Sequence, residues 1–157
     1  MPPVTPPTSE HYDLLVIGGG SGGMGASRRA ASCGKKVAVI EEAGKLGGTC
    51  VNVGCVPKKL MWHASDIQDK LKEAHEYGFT DAGRSFSVPS VDWHTLAEKR
   101  DAYIRRLNGI YDNNLQKDHV AYISGHGRLL GDGRVQVTPG VDLSLIHISE
   151  PTRQEAI

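Results

Sequence analysis

Two short apolar runs separated by a glycine-rich turn and an alanine-rich segment predict an α/β fold of Rossmann-like type, built on a parallel sheet. Tyr12-Asp-Leu-Leu-Val-Ile17 ends in glycines, as expected of a strand buried on both faces. Gly22 to Cys33 is rich in Ala, Arg and Ser, lacks proline, and stops at Gly34, which suits the residue after a helix. Lys36-Lys-Val-Ala-Val-Ile40 is a second buried strand, closed by Glu41. Strand, glycine turn, helix and strand within about 30 residues make a βαβ unit.

Further along, Gly44 to Gly54 reads as a glycine-bearing loop. From Cys55 to Glu76, Leu60, Met61, Ala64, Ile67, Leu71 and Ala74 recur at helical spacing, with Pro57 tolerated in the first turn. Tyr77 to Pro89 is a polar connection. Asp92 is placed to cap a long helix with Glu98 and Lys99 on its wet side. Trp93, Leu96, Tyr103, Leu107, Ile110 and Leu115 form that helix's apolar side. Val120 to Ser124 and Arg134 to Thr138 read as strands around the turn at Gly131-Asp-Gly133. Leu143 to Ile157 continues none of these patterns and resembles translated vector read-through. It is read as a non-native tail, which leaves the sheet incomplete at its C-terminal end. The domain organisation expected is therefore a disordered arm over 1–11, a partial nucleotide-binding domain over 12–142, and the tail over 143–157.

The 157 residues carry 18 basic and 18 acidic side chains. Zero net charge supplies no single-sign field to collect nucleic-acid phosphates. No stretch approaches the 18 apolar residues of a membrane-crossing helix. The proline-bearing start, with Pro2, Pro3, Pro6 and Pro7, resembles neither a secretory signal nor an Arg-rich transit peptide. The expectation is a cytoplasmic protein without nucleic-acid or membrane partners. Nineteen residues are glycine, well above the roughly 7% of an average chain, and they cluster at 18–25 and 44–54.

The first cluster holds Gly18-x-Gly20-x-x-Gly23 directly after a strand and at the start of a helix, the context a dinucleotide turn requires. Gly18 permits the tight turn, Gly20 lets backbone approach a pyrophosphate, and Gly23 lets helix pack on strand. The helix N-terminus adds free N–H groups and partial positive charge. Glu41, at the end of the second strand, is placed to accept from ribose hydroxyls. A carboxylate there repels a 2′-phosphate, so FAD or NAD is expected in preference to NADP.

The second cluster is Gly47-Gly-Thr-Cys50-Val-Asn-Val-Gly54-Cys55-Val-Pro-Lys-Lys59. Five residues of regular helix rise about 7.5 Å, whereas a disulfide needs Cα atoms about 4.4–6.8 Å apart. A Cys50–Cys55 bond therefore needs a distorted turn, which Gly54 can supply. The helix N-terminus and Lys58 are expected to favour thiolate. A redox-active dithiol, two unrelated buried thiols, and a zinc site with His63 all remain open here; the zinc reading lacks a fourth ligand. Cys33 reads as a small buried hydrophobe, and His63, His75 and His126 as structural.

Gly18 to Gly23, Glu41 and GGTCVNVGCVPKK together resemble the FAD domain of the flavoprotein disulfide reductases. KRDAYIRRLNGIYDNN (Lys99 to Asn114) is similar to the members acting on glutathione disulfide. The resemblance covers about Tyr12 to Pro139. It implies FAD held by Gly18, Gly20, Ser21, Gly22, Gly23, Glu41, Thr49, Cys50, Lys58 and the backbone at Gly127. It implies a catalytic set of Cys50, Cys55 and Lys58, with Cys55 beside the flavin and Cys50 as interchange thiol. Ser21, Arg28 and Tyr111 match positions that contact glutathione, and an arginine fork suits a peptide carboxylate. The implied relay runs from NADPH through FAD and a Cys50–Cys55 disulfide to glutathione disulfide.

The family also has an NADPH domain, an interface domain for homodimerisation, and a distant catalytic histidine, none of which matches residues here. NADPH-dependent turnover is accordingly not expected of these 157 residues alone. Two other readings are a stand-alone FAD-binding module without catalysis and a member of thioredoxin-reductase type; Arg28 and Tyr111 favour glutathione.

Overall fold

A computed structural model describes residues 11–80, 83–84, 87–137, 141–145 and 148–149, the last two segments by their strand pairing. The arm over 1–10 lies outside the described residues, as do 138–140, 146–147 and 150–157. The elements run β1 (His11–Tyr12), β2 (Leu14–Ile17), α1 (Ser21–Ser32), β3 (Val37–Glu41), α2 (Gly48–Asn52) and α3 (Cys55–Ala74). A short 3₁₀ turn (His75–Tyr77) follows, then α4 (Trp93–Lys117), β4 (Ala121–Ser124), β5 (Gly127–Gly131), β6 (Arg134–Val137), β7 (Val141–Leu145) and β8 (Ile148–Ser149).

The βαβ unit forms as expected, with β2 and β3 parallel and Leu15 opposite Ala38. β4 adds in parallel on the far side of β3, and β8 on the far side of β2. The strand order is thus β4-β3-β2-β8. Period-two alternation sends adjacent residues to opposite faces, and here both faces are covered. Leu15, Ala38, Ile40 and Ile123 pack with Tyr12 and with Val135 and Val137 of β6. Val16, Val37, Val39 and Tyr122 pack on the other face with Met24 of α1, Leu46 and Leu115 of α4. Both faces being apolar explains the unbroken runs in β2 and β3. The result is three layers: helices, parallel sheet, and a second sheet of order β1-β7-β6-β5.

That second sheet departs from the sequence reading. β6 pairs not around β4 but antiparallel with β5, through Asp132-Gly133. Asp132 (φ 49°) and Gly133 (φ 69°) both sit at positive φ, the requirement of a type I′ hairpin turn. β5 gives little sequence signal: GRLLG is almost wholly exposed and does not alternate. β7 and β8 fall partly within 143–157, where the sequence reading expected no element; β7 pairs with β6 and with β1. His11, expected in the arm, opens β1.

The helices begin and end for local reasons. Asp92 caps α4, accepting from the backbone N–H groups of His94 and Thr95. Gly34, at φ 75°, terminates α1 and donates to the Ala31 carbonyl. Their apolar sides are less covered than the periodicity suggests. α3 buries no residue, and Ile67 is 57% exposed. In α4 only Leu115 is buried; Trp93, Tyr103 and Ile110 are exposed and Leu96 and Leu107 half-buried. Among the described residues α4 lies chiefly against α2, α3 and β4, and its C-terminal end meets α1 through Arg28 and Asp118.

Leu15 is fully buried between the sheets. Leu15→Ala is expected to lower unfolding free energy by about 2–5 kcal/mol. Ile67→Ala, on the uncovered side of α3, should cost under about 0.5 kcal/mol. Urea unfolding of the two variants measures the difference.

Candidate functional site: a nucleotide turn joined to a dithiol loop

The turn after β2 is shaped by missing side chains. Gly18 adopts φ 100° and its N–H donates to the Ile40 carbonyl. A Cβ on Gly23 would lie 2.0 Å from the Gly18 carbonyl oxygen and 3.0 Å from Val16. Gly23 therefore permits the close seating of α1 on β2 that the motif predicts. The first intrahelical bond at this end runs from Met24 N–H to the Gly20 carbonyl. The N–H groups of Ser21, Gly22 and Gly23 precede it and have no acceptor within the helix. No acidic residue lies in the first turn to neutralise them. Ser21 and Gly22 are exposed. Such a helix end suits a phosphate.

Glu41 closes β3 beside this turn. Its Oε2 accepts from the Gly19 N–H at 2.7 Å and its Oε1 from the Ala43 N–H at 2.8 Å. An ionised carboxylate offers about four lone-pair sites, so both oxygens keep capacity toward a ligand. Glu41 lines a cleft of about 800 Å³ together with Gly18, Gly20, Thr49, Gly127 and His126. That volume lies within the roughly 300–1,000 Å³ of small-molecule sites. Of the residues expected at FAD, Gly18, Gly20, Glu41, Thr49 and Gly127 line the cleft; Ser21, Gly22, Gly23, Cys50 and Lys58 do not. Sequence reading missed Lys45, Asn52 and Glu42 in its wall. His126, expected to be structural, stands at the rim, its Nδ1 3.1 Å from Glu42 Oε2.

The dithiol loop is bolted to the nucleotide turn by backbone groups and by the Leu46 side chain against Gly19. Gly47 N–H donates to the Gly19 carbonyl at 2.8 Å. A Cβ on Gly48 would lie 2.7 Å from Gly20 Cα. Gly47 (φ 103°) and Gly48 (φ 59°) both take left-handed conformations that start α2, a five-residue helix absent from the sequence reading. Its shortness hides it from any periodicity. Cys50 lies in α2, half-buried, and Cys55 opens α3, exposed; both are free thiols. Gly54 between them is not left-handed, at φ −121°. It is needed for space: a Cβ there would sit 2.9 Å from the Thr49 carbonyl oxygen and 3.4 Å from Cys50 Cα.

Cys50 corrects one expectation. Its hydrogen bond to Cys55 raises its pKa above the ordinary 9.0, with burial and the Cys55 charge adding to the effect. The shared proton outweighs the influences expected to favour thiolate at this sulfur, and Lys58 is exposed on α3. Among the described residues no three of His, Cys, Asp and Glu gather at metal-binding distance, so the zinc alternative with His63 has no ligand set. Cys33 is exposed and not a buried hydrophobe, because it caps α1 at the surface.

The residues matched to glutathione contacts occupy different settings. Ser21 is exposed at the start of α1. Arg28 is not a solvated charge: its Nε donates to Asp118 Oδ2, linking α1 to the residue that caps α4. Tyr111 is half-buried against the helix-side core. Beside it, burial raises the pKa of Asp112, and burial with the Glu41 and Asp112 charges raises that of Tyr122.

A helix end whose first-turn N–H groups have no acceptor within the helix, a cleft and two thiols five residues apart lie on one backbone unit. Residues 12–144 match the family described as pyridine nucleotide-disulphide oxidoreductase, and the chain belongs to that family. Similar curated proteins are the glutathione reductases of three yeasts. That of Schizosaccharomyces pombe is 54% identical over 131 residues, covering 83% of this chain and 27% of that protein. That of Yarrowia lipolytica is 52% identical over 139 residues, covering 88% and 28%. That of Debaryomyces hansenii is 49% identical over 141 residues, covering 88% and 29%. The chain thus spans less than a third of the length of these relatives.

Two measurements check the site. Gly48→Ala combines a left-handed backbone with a clash on Gly20 and is expected to cost about 2–4 kcal/mol. Gly44→Ala, at φ 65° with open space around it, should lose only about 1–2 kcal/mol. Second, Cys55→Ala removes the bond that holds the Cys50 proton. Cys50 should then titrate closer to 9.0 than in the parent chain, read from ultraviolet thiolate absorbance. The sign follows: the proton on Cys50 favours the folded state below pH 9.0, and this contribution fades as pH rises through the higher folded value.

Proposed function

We propose that the chain is the FAD-binding, dithiol-bearing part of a glutathione-disulfide reductase that draws its electrons from NADPH. The observation that carries the reading is the placement of Cys50 in α2 and Cys55 at the start of α3, on a loop whose Gly47 N–H is bonded to the nucleotide turn. The three glutathione reductases at 49–54% identity support the substrate class. The residues fit the cofactor: Gly18 and Gly20 bring bare backbone to the cleft wall, and the first-turn N–H groups of α1 would hold the pyrophosphate. Glu41 would accept from the ribose hydroxyls and disfavour a 2′-phosphate. Bound FAD supplies two-electron reduction of the Cys50–Cys55 disulfide.

The exchange half belongs to the chain's own sulfurs. Cys50, once deprotonated, attacks one sulfur of glutathione disulfide. That S–S bond breaks, a Cys50–glutathione mixed disulfide forms, and one glutathione leaves as thiolate and takes up a proton. Cys55 thiolate then attacks the Cys50 sulfur, restores the Cys50–Cys55 disulfide and releases the second glutathione. Lys58 supplies positive charge on the first turn of α3. Ser21, Arg28 and Tyr111 hold the tripeptide, with Arg28 toward a carboxylate. The same reading carries a homodimer for the complete protein and a cytoplasmic location.

Trapping tests the order of the thiols. Cys55→Ser, mixed with glutathione disulfide, should accumulate one glutathione adduct on Cys50 by mass spectrometry, at least tenfold above Cys50→Ser. Equal or inverted labelling would reverse the assignment. The visible spectrum tests the cofactor: two bound-flavin bands are expected, and dithiothreitol should bring up a long-wavelength band that Cys55→Ser lacks. A colourless chain that takes up no added FAD would sink the flavin reading.

A further inference from the structure

Asn108, on α4, is one turn before Tyr111 and distant in sequence from both thiols, yet it reaches the dithiol loop. Its Nδ2 donates to the Leu46 carbonyl at 2.8 Å and to Asn52 Oδ1 at 3.0 Å. Asn52, the last residue of α2, turns its own Nδ2 to the Leu46 carbonyl at 3.2 Å and the Gly48 carbonyl at 2.9 Å. Two carboxamides thus clasp both ends of the segment that carries Cys50, and both are partly buried.

The segment needs such a clasp. A helix of five residues has no stability of its own, since nucleation is unfavourable and few bonds repay it. At its N-terminal end α2 is held by Gly47 N–H on the Gly19 carbonyl. In its middle Val51 is buried. At its C-terminal end, where the chain runs through Val53 and Gly54 to Cys55, the tie to the rest of the fold is Asn52 on Asn108. Val53 itself is 76% exposed and contributes little. Loosening that end widens the range of Cys50–Cys55 separations and lowers the effective concentration of one thiol at the other.

We infer that Asn108 is a positioning residue for the dithiol: through Asn52 it fixes the C-terminal end of α2 and so sets how readily Cys50 and Cys55 close to a disulfide. It touches neither sulfur, and the inference rests on the dithiol reading above. The measured reaction is Cys50–Cys55 disulfide plus two glutathione thiols giving two protein thiols plus glutathione disulfide, one S–S bond broken and one formed.

The test equilibrates the 157-residue chain in glutathione redox buffers, quenches by alkylation and counts protein thiols by mass. Asn108→Ala is expected to shift the equilibrium at least tenfold toward the dithiol, about 30 mV less negative for a two-electron couple. Asn52→Ala should shift it in the same direction. The double variant should shift it no further than the larger single one, because both act through one contact. An unchanged equilibrium in folded Asn108→Ala, or additive shifts, overturns the inference and leaves the dithiol reading standing. A parent chain that forms no Cys50–Cys55 disulfide overturns both. Should Asn108→Ala fail to fold by circular dichroism, Asn108→Ser takes its place with at least a threefold shift expected. Loss of fold in both would make Asn108 a residue of general stability and overturn the positioning role.

Discussion

The contact between Gly48 and Gly20 is the constraint on which the rest of the site depends. Two backbones meet where a side chain on Gly48 would hold them apart, and the Gly47–Gly19 hydrogen bond fixes their register. A cleft wall and a pair of thiols thereby become parts of one rigid unit. Buried Leu46 and Val51 line that junction from the loop side. Excluded volume at Gly48 sets how closely the two segments approach.

Beneath the junction, the parallel sheet supplies the rigidity. β2 and β3 are buried on both faces, by helices on one side and by β6 on the other. The turn that leaves β2 and the carboxylate that ends β3 are therefore anchored at the same sheet edge. Cleft-lining loops at the ends of parallel strands are the usual ligand position in such sheets. The fold places Gly18, Glu41 and Gly125 there because Gly18 and Gly125 follow, and Glu41 ends, strands that pair in register.

Much of this was legible in the residues, and what was not has identifiable causes. β2, α1, β3, α3, α4 and the Asp92 cap follow from unbroken apolar runs, helical spacing and capping chemistry. Gly23 was readable as a packing glycine because its motif fixes which neighbour it meets. α2 escaped because five residues hold no periodicity. β5 escaped because its residues are exposed and flanked by glycine. The raised pKa of Cys50 could not be read, since it comes from the proximity of Cys55 and from burial in three dimensions. The Asn108–Asn52 clasp was equally hidden: asparagines give no signal of their partner 56 positions away. Arg28 illustrates the reverse case, where a motif match was stated without its Asp118 partner, which only the folding of α1 against the end of α4 reveals.

Glu41 has a second employment with consequences for engineering. Its carboxylate faces the cleft and also buckles Gly19 and Ala43 into place. Retargeting the pocket toward a phosphorylated ribose by exchanging this residue for a neutral or basic one would release both amides at once. Redesign of ligand preference at this strand end is thus inseparable from redesign of the loop itself, and a replacement acceptor has to arrive together with the new charge.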